Sequence, residues 1–313
     1  MDNNLSFAVI IPVYNAGDYI AECLDSLIAQ TYRNWIAYCV DDGSIDSSSI
    51  ILDDYQNRDK RIRVFHIANG GVASARNYAL DRLEGEQWVS FVDADDYISP
   101  FMFESIVEGL ANSGNPSVDY IRLFPSKTER RYSEIKTWRG SNLGLFNNRV
   151  VSSKDYFREE NVGGFVASLA VKSSIIQTSG IRFVETMRIL EDQVFSIECA
   201  THAKSVLIHN EECYYYYSNP ASSTRSAVDR SNDIIQCINR IMAVLGQSND
   251  EVLKNYFREN FLPVKMKLLL KERIKHFFSP LDFRLSSSFN IKDYEFSHGE
   301  YTMYFFLKIF NKI

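Results

Sequence analysis

The sequence predicts an α/β protein: a mostly parallel sheet flanked by helices, with a C-terminal helical extension. Three observations carry this expectation. Apolar runs of strand length alternate with helix-spaced segments through the first 125 residues. Polar clusters follow three of those runs. From about residue 228 to about 278 the apolar spacing is helical.

Taken in order, FAVIIPV (7–13) is a continuous apolar run, as in a strand buried on both faces. Residues 17–30 place Ile20, Leu24, Leu27 and Ile28 at helical spacing. WIAYCV (35–40) reads as a strand, and DSSSIILDDYQNRD (46–59) as a helix with Asp46 as N-cap. IRVFHI (62–67) is a strand in which His66 is expected to be packed. VASARNYALDRL (72–83) is a helix and QWVSFV (87–92) a strand. Ser99 and Pro100 open the next helix, as N-cap and first-turn proline. VDYIRLF (118–124) closes the alternation. Residues 126–165 read as loops and edge strands, and 166–178 as a short strand and helix. A further helix starts at Glu191 or Asp192. SVLIHN (205–210) and CYYYYS (213–218) read as strands joined by a Glu-Glu turn.

The composition, 45% hydrophobic and 24% charged, is enough for a substantial core. A net charge of −6 argues against a nucleic-acid binder, which shows a basic excess. Five cysteines without a CxxC pair point to reduced thiols rather than a disulfide framework or zinc site. The N-terminus lacks a basic segment, and no apolar run reaches the roughly 18 residues of a membrane span. The expected location is the cytoplasm.

Parallel sheets bind ligands beyond the carboxyl ends of their strands. PVYN, VDDGS and VDADD each follow a strand end, so the three should converge on one crevice. FVDADDY (91–97) puts three aspartates into four positions. At about 4 Å and an effective dielectric of about 20, each pair repels by roughly 4 kcal/mol. Water or a cation must compensate. In an extended strand Asp93 and Asp95 would face the same side, with Cα atoms about 6.5–7 Å apart. That suits a hard cation such as Mg²⁺ or Mn²⁺; a solvated turn is the even alternative for this stretch alone. In VDDGS, Gly43 permits a sharp turn, and Asp41 or Asp42 could accept from a base N–H; for this stretch alone an Asp-Gly turn leading into a capped helix is the favoured explanation. In NGGVASARN (69–77), Gly70 and Gly71 open a helix whose first N–H groups favour anions. Arg76 follows, to meet a base or to pair with an acid. Neither GxGxxG nor GxxxxGK[ST] is present. In RILEDQVF (188–195), the helix dipole should keep an aspartate ionised as a base at neutral pH. Ordinary first-turn acid enrichment explains the same segment taken alone.

Together these stretches resemble the family 2 glycosyltransferases, inverting enzymes of the GT-A fold that use nucleotide-sugar donors. The matching pieces are VIIPVYNAGDYIAECLDSLIAQTY (9–32), VDDGSIDSS (40–48), NGGVASARNYAL (69–80), FVDADDY (91–97) and IRFVETMRILEDQVF (181–195). The resemblance implies a Rossmann-like GT-A catalytic domain over 1–225, with a donor half (1–125) and an acceptor half (126–225), and an extension over 226–313. It implies that Pro12, Val13 and Tyr14 line the base and ribose pocket, and that Asp41 or Asp42 binds the base. Gly71, Arg76 and Asn77 would lie near the nucleotide. Asp93 and Asp95 would be the DxD pair, the first near ribose and donor sugar, the second on Mn²⁺ or Mg²⁺. Asp192 would be the catalytic base, and Arg225 a diphosphate contact. The implied partners are a nucleotide-sugar donor, UDP-sugar favoured, and a saccharide or lipid-linked acceptor of bacterial surface polysaccharide synthesis. Two departures stand out. The family's aromatic or basic signature before the ED helix is replaced by VASLAV (166–171), and the YYYYSNPASSTRS stretch (214–226) fits loosely. The alternatives, a nucleotidyltransferase or a noncatalytic GT-A-like module, fit less well. The former normally carries a Gly-rich phosphate loop where this chain has PVYNAGDY, and the latter would not need Asp93, Asp95 and Asp192 intact.

FLPVKMKLLLKERIKHFF (261–278) places Leu262, Met266, Leu269 or Leu270, Ile274 and Phe277 along one face and Lys267, Lys271 and Lys275 in a stripe. The favoured expectation is a helix packed on the catalytic domain with a solvated lysine face. The other is peripheral membrane contact with anionic lipid on the cytoplasmic side.

Overall fold

The computed structural model describes residues 5–124, 126–128, 148–159, 166–209, 213–217, 229–248 and 250–275. In chain order the strands are β1 (Phe7–Val13), β2 (Trp35–Asp41), β3 (Ile62–His66), β4 (Trp88–Phe91), β5 (Tyr97–Ile98), β6 (Val118–Arg122), β7 (Ser126–Thr128), β8 (Arg149–Ser152), β9 (Leu169–Lys172), β10 (Ser205–Ile208) and β11 (Tyr214–Tyr217). The helices are α1 (Ile20–Ile28), α2 (Ser48–Arg58), α3 (Val72–Leu80), α4 (Met102–Ser113), α5 (Ser153–Glu159), α6 (Ser173–Ser179), α7 (Glu191–His202), α8 (Ser231–Gln247), α9 (Glu251–Tyr256) and α10 (Leu262–Lys275).

The main sheet has the order β3-β2-β1-β4-β9-β6-β10-β8. β1 pairs in parallel with β2 and β4, β2 with β3, and β6 with β10. The continuous apolar runs predicted this: Phe7 through Ile11 are fully buried, because helices cover both faces. In register, Val13 lies beside Asp41, so neighbouring strand ends share one edge.

Two differences from the sequence reading have a physical reason. β9 runs antiparallel between β4 and β6, in the middle of the sheet. Leu169, Ala170 and Val171 are fully buried there, so the second half of the small apolar VASLAV stretch is what a central strand needs. The two tyrosine-side strands do not form a hairpin. β10 joins the main sheet beside β6, while β11 builds a second, three-stranded sheet in the order β5-β11-β7.

The C-terminal helices share the core of the sheet. Ile234, Ile235, Ile238 and Ile241 are fully buried in one apolar cluster with Phe91, Phe183, Phe195 and Met266. Lys267, Lys271 and Lys275 are exposed, as the lysine stripe predicts. The Ile274 side chain and residues 276–313, with Phe277, lie outside the described residues. Among those described, no helix is long and apolar enough to cross a membrane. All five cysteines are buried free thiols.

Candidate active site

The loop after β1 is stitched to the loop after β2. Asn15 adopts φ 49°. Its N–H donates to Ser44 Oγ at 3.0 Å, and its Oδ1 accepts from Ile45 N–H at 2.9 Å. Gly17 N–H donates to Asp46 Oδ2 at 2.9 Å. Tyr14, between them, is 54% exposed, an aromatic face open to a ligand. Pro12 and Val13 end β1 just before it, in register with Val40 and Asp41.

The two aspartates of VDDGS are both nearly buried. Asp42 accepts Gly70 N–H at 2.7 Å and Gly71 N–H at 2.8 Å. These are the amides that the sequence reading offered to an anionic ligand; the anion they hold is Asp42. Gly71 takes φ 90° to make this possible. Asp41 accepts Ser44 N–H at 2.9 Å and meets His66 Nδ1 at 2.8 Å. His66 is therefore not packed as expected. It is partly exposed at the end of β3, bridging Asp41 to Asp53, whose Oδ1 lies 3.1 Å from Nε2. Those carboxylates hold its pKa above the ordinary value against the effect of burial.

β4 ends at Phe91, so the extended geometry assumed for Asp93 and Asp95 is not what forms. Residues 93–96 make a turn closed by Asp96 N–H to Asp93 O at 3.0 Å. Both Asp93 and Asp95 keep partly exposed side chains, while Asp96 is buried. Tyr214 of β11 locks the turn. Its hydroxyl accepts Asp93 N–H at 3.1 Å and donates to Asp96 Oδ2 at 2.6 Å. Tyr217 N–H donates to Asp96 Oδ1 at 2.9 Å. Burial, then the charges of Asp93 and Asp95, push Asp96 up to about 8, with the Tyr214 bond opposing. Tyr214→Phe strips both Asp93 N–H and Asp96 Oδ2 of their shared partner. The expected cost is about 1–3 kcal/mol, read as a lower urea midpoint at unchanged slope.

Arg76 connects this turn to the helix that starts at Glu191. Its Nη2 donates to Asp93 at 2.9 Å and its Nη1 to Glu191 at 3.1 Å, and it lies over the Phe183 ring at 5.3 Å. Burial opposes its charge, and Asp93, Glu191 and Asp192 outweigh that, so it stays above its ordinary pKa. Next to it, Asn77 grips the incoming chain: Nδ2 donates to Phe183 O at 3.0 Å and Oδ1 accepts Phe183 N–H at 2.9 Å. Asp192 is pushed up to about 7, by burial first and the Glu191 charge second, with Arg76 opposing. The helix dipole does not keep it an ordinary ionised carboxylate, as the sequence reading expected; desolvation wins. On α10, Lys265 is nearly buried beside the Phe261 ring; burial lowers its pKa, with the Asp192 charge opposing.

The Glycosyl transferase family 2 model matches residues 8–169 of this chain, more than half of its length. The chain belongs to glycosyl transferase family 2. Among its relatives, the "Uncharacterized glycosyltransferase EpsJ" of Bacillus subtilis (strain 168) is 31% identical over 217 residues, 69% of this chain and 62% of EpsJ. The poly(ribitol-phosphate) beta-N-acetylglucosaminyltransferase TarS of Staphylococcus aureus is 25% identical over 265 residues, 82% of this chain and 44% of TarS. The crystal structure of S. aureus TarS 1–349 with UDP-GlcNAc has the same fold, with TM-score 0.66 at 22% identity over 88% of this chain and 74% of that one. The mannosyltransferase PcManGT of Pyrobaculum calidifontis, in complex with GDP-Man and Mn²⁺, matches at TM-score 0.57 and 15% identity over 88% and 77%. The chain thus spans less than two thirds of EpsJ and of full-length TarS.

Within this family 2 chain, the family match stops before α7, so Glu191, Asp192 and α8 all lie beyond it. Arg76, Asp93 and Glu191 are in direct contact, with Asp192 electrostatically coupled to them. Asp41 and Asp42 lie at the end of β2, with β1 between them and the β4 turn, and already accept the hydrogen bonds described above. Arg225 lies outside the described residues. Tyr214 and Asp96 are site-shaping residues that the sequence reading did not single out. Four consecutive tyrosines carry no alternation that would mark Tyr214 as the buried one.

Proposed function

We propose that this chain is an inverting glycosyltransferase that moves a sugar from a nucleotide-diphosphate donor, a UDP-sugar by preference, to a hydroxyl of a saccharide or lipid-linked acceptor in bacterial surface polysaccharide synthesis. Family membership supports the class of reaction. The names of the relatives, TarS among them, support the polymer context, and the UDP-GlcNAc in TarS supports the donor. The observation that carries the reading is the Arg76 bridge: it joins the strand-end acids to the ED helix across 115 residues of sequence.

In this reading Pro12, Val13 and Tyr14, with Asp41 or Asp42, receive the base and ribose. Asp93 faces the ribose and donor sugar. Asp192 takes the proton of the acceptor hydroxyl as that oxygen forms its bond to the anomeric carbon. The bond from that carbon to the diphosphate breaks on the opposite face, and its electron pair leaves with the nucleoside diphosphate. A base whose pKa lies near the working pH suits that transfer, and such help contributes typically 10²–10⁴-fold.

The side chains present fit a hard divalent cation that arrives with its ligand. Asp93 and Asp95 offer carboxylate oxygens on one turn, partly exposed. Among the described residues no cluster of three or more His, Cys, Asp or Glu forms a protein cage. Mg²⁺ and its analogues commonly combine one or two carboxylates with substrate phosphates and water. When bound, Mn²⁺ or Mg²⁺ would neutralise charge developing on the leaving diphosphate.

The test is thermal unfolding of the full chain with nucleotides and Mn²⁺. UDP at about 100 times its Kd is expected to stabilise the protein by about 2.7 kcal/mol, GDP and dTDP less, and EDTA is expected to remove most of the gain. If no nucleotide moves the midpoint with Mn²⁺ present, the reading is wrong.

A further inference from the structure

His66 stands at the end of β3 with a carboxylate at each ring nitrogen. Asp41 Oδ2, from β2, lies 2.8 Å from Nδ1, and Asp53 Oδ1, from α2, lies 3.1 Å from Nε2. An ionised carboxylate only accepts, so both contacts are hydrogen bonds only when both nitrogens carry a proton. The ring is then one cation shared by two acids. The neutral ring has a single N–H and turns a lone pair toward one carboxylate or the other. Asp41 and Asp53 are the charged groups that meet the ring; Asp54, next on α2, is paired with Arg58. The Asp41 bond, with Asp53 behind it, favours the charged ring against burial.

The contacts continue from Asp41 toward Tyr14. The Asp41 side chain is 4% exposed, so its charge needs partners inside the protein. Its Oδ1 accepts Ser44 N–H at 2.9 Å, while His66 covers Oδ2 and supplies the counter-charge. Ser44 in turn opens a short segment whose side chains take three successive amides of the loop after β1. Ser44 Oγ accepts Asn15 N–H at 3.0 Å, Ser48 Oγ accepts Ala16 N–H at 2.8 Å, and Asp46 Oδ2 accepts Gly17 N–H at 2.9 Å. Asn15 sits at φ 49°, a left-handed conformation that asparagine tolerates when local bonds hold it. Tyr14 comes directly before this grip and leaves its ring exposed. One line of contacts thus runs from α2 through Asp53, His66, Asp41, Ser44 and Asn15 to the Tyr14 loop. The Asp42 carboxylate serves another purpose, on the Gly70 and Gly71 amides.

We infer that His66 is a positioning residue for the nucleotide base: seated between Asp53 and Asp41, it fixes Asp41 and, through Ser44 and Asn15, the loop that presents the Tyr14 ring. The inference rests on the reading of Tyr14 and its neighbours as the base pocket, and deepens it. Nucleotide affinity then depends on the charge of a histidine at the far side of that pocket. Below its raised folded pKa, His66 donates to both acids and the loop is held. As pH rises through that value the ring gives up a proton, one link of the line breaks, and affinity falls.

The experiment uses the full chain as wild type, His66→Ala, His66→Gln and Asp53→Asn. UDP with Mn²⁺ is the probe, titrated calorimetrically from about pH 6 to about pH 8.5, around the range where histidine changes charge. Ligand-free thermal unfolding is measured beside it. In the wild type the UDP Kd is expected to rise about tenfold across that range, the loss of one charge-assisted hydrogen bond. His66→Ala should bind about tenfold more weakly at the acid end, with no further step as pH rises. His66→Gln restores one neutral donor, so it should recover part of the affinity and none of the pH step. Asp53→Asn should move the step to lower pH, because the ring loses an acid that favours its charge. The ionisation of UDP itself is common to all four proteins and cancels between them. Equal Kd values for wild type and His66→Ala at the acid end overturn the inference, and so does the same pH step in both. A lower unfolding midpoint in His66→Ala with unchanged Kd overturns it too, since the histidine then only supports the fold. If His66→Ala does not fold, His66→Gln carries both comparisons. A wild type that binds no nucleotide in the presence of Mn²⁺ removes the proposed function and this inference together. A wild type that binds UDP with no difference among the variants removes this inference alone.

Discussion

Asp192→Asn is expected to lower sugar transfer by roughly 10²–10⁴-fold while donor binding changes little. The amide keeps the shape of the carboxylate and loses its charge and its ability to accept a proton. In the wild type, kcat/KM should rise with pH through an apparent ionisation near 7 and level off above it, because Asp192 is pushed up to about 7 and only its deprotonated form works. In the variant that limb should disappear from whatever activity is left. A second consequence has the opposite sign. The unfolded carboxyl ionises near about 3.9, so between about 4 and 7 the folded form binds the extra proton, and the contribution of Asp192 to stability falls as pH rises through that window. Above it the folded protein carries a partly desolvated charge beside Glu191. Asp192→Asn should therefore unfold at a higher temperature than wild type at pH 8 in the absence of donor. Stopped assays across pH 5–9 and thermal unfolding at pH 8 check both signs. Wild-type turnover by the variant would remove the base from the scheme.

The largest stability effect is expected from Arg76→Met. The side chain of Arg76 is 5% exposed and that of Glu191 8%, whereas Asp93 is 36% exposed. Most of the cost therefore comes from Glu191, left as a buried acid without its cation; the Asp93 half is discounted for solvent screening. Removing one member of a buried pair costs about 3–5 kcal/mol. At about 2–4 °C per kcal/mol, the midpoint should fall by about 10 °C. The deficit should shrink as pH falls, because without Arg76 the folded-state pKa of Glu191 rises further, and protonation then relieves the buried charge. A drop of less than about 2 °C at pH 7.5 would show that the bridge contributes little. Turnover should fall as well, since Arg76 fixes the Asp93 turn and the ED helix relative to one another.

Much of the architecture was legible because its strands are extreme. β1 is buried on both faces and reads as a continuous apolar run, β2 and β4 are nearly as apolar, and the helix beginning at Glu191 announces itself by two first-turn acids. What escaped the sequence is contact between distant segments. A four-residue run such as Leu169–Lys172 has no feature that states its direction, so its antiparallel entry between β4 and β6 was not foreseen. The Asp93–Asp96 segment looked like an extended strand end because alternation was assumed to continue. The hydroxyl of Tyr214, 121 residues away from Asp93, turns the chain instead. The paired glycines suggest an open anion cradle, and nothing next to them shows that Asp42, 28 and 29 residues earlier, already fills it. His66 is a strand residue, as it reads, but the carboxylates on either side of it belong to β2 and α2.

The placement of β9 bears on how the nascent chain matures. In the main sheet β9 stands between β4 and β6, so a polypeptide leaving the ribosome presents β3-β2-β1-β4 and β6 as separate pieces until Leu169–Lys172 has been translated. Unpaired strand edges recruit other chains, and incomplete sheets are the species that chaperones shield. For this protein the exposed interval lasts at least until Lys172 has been added.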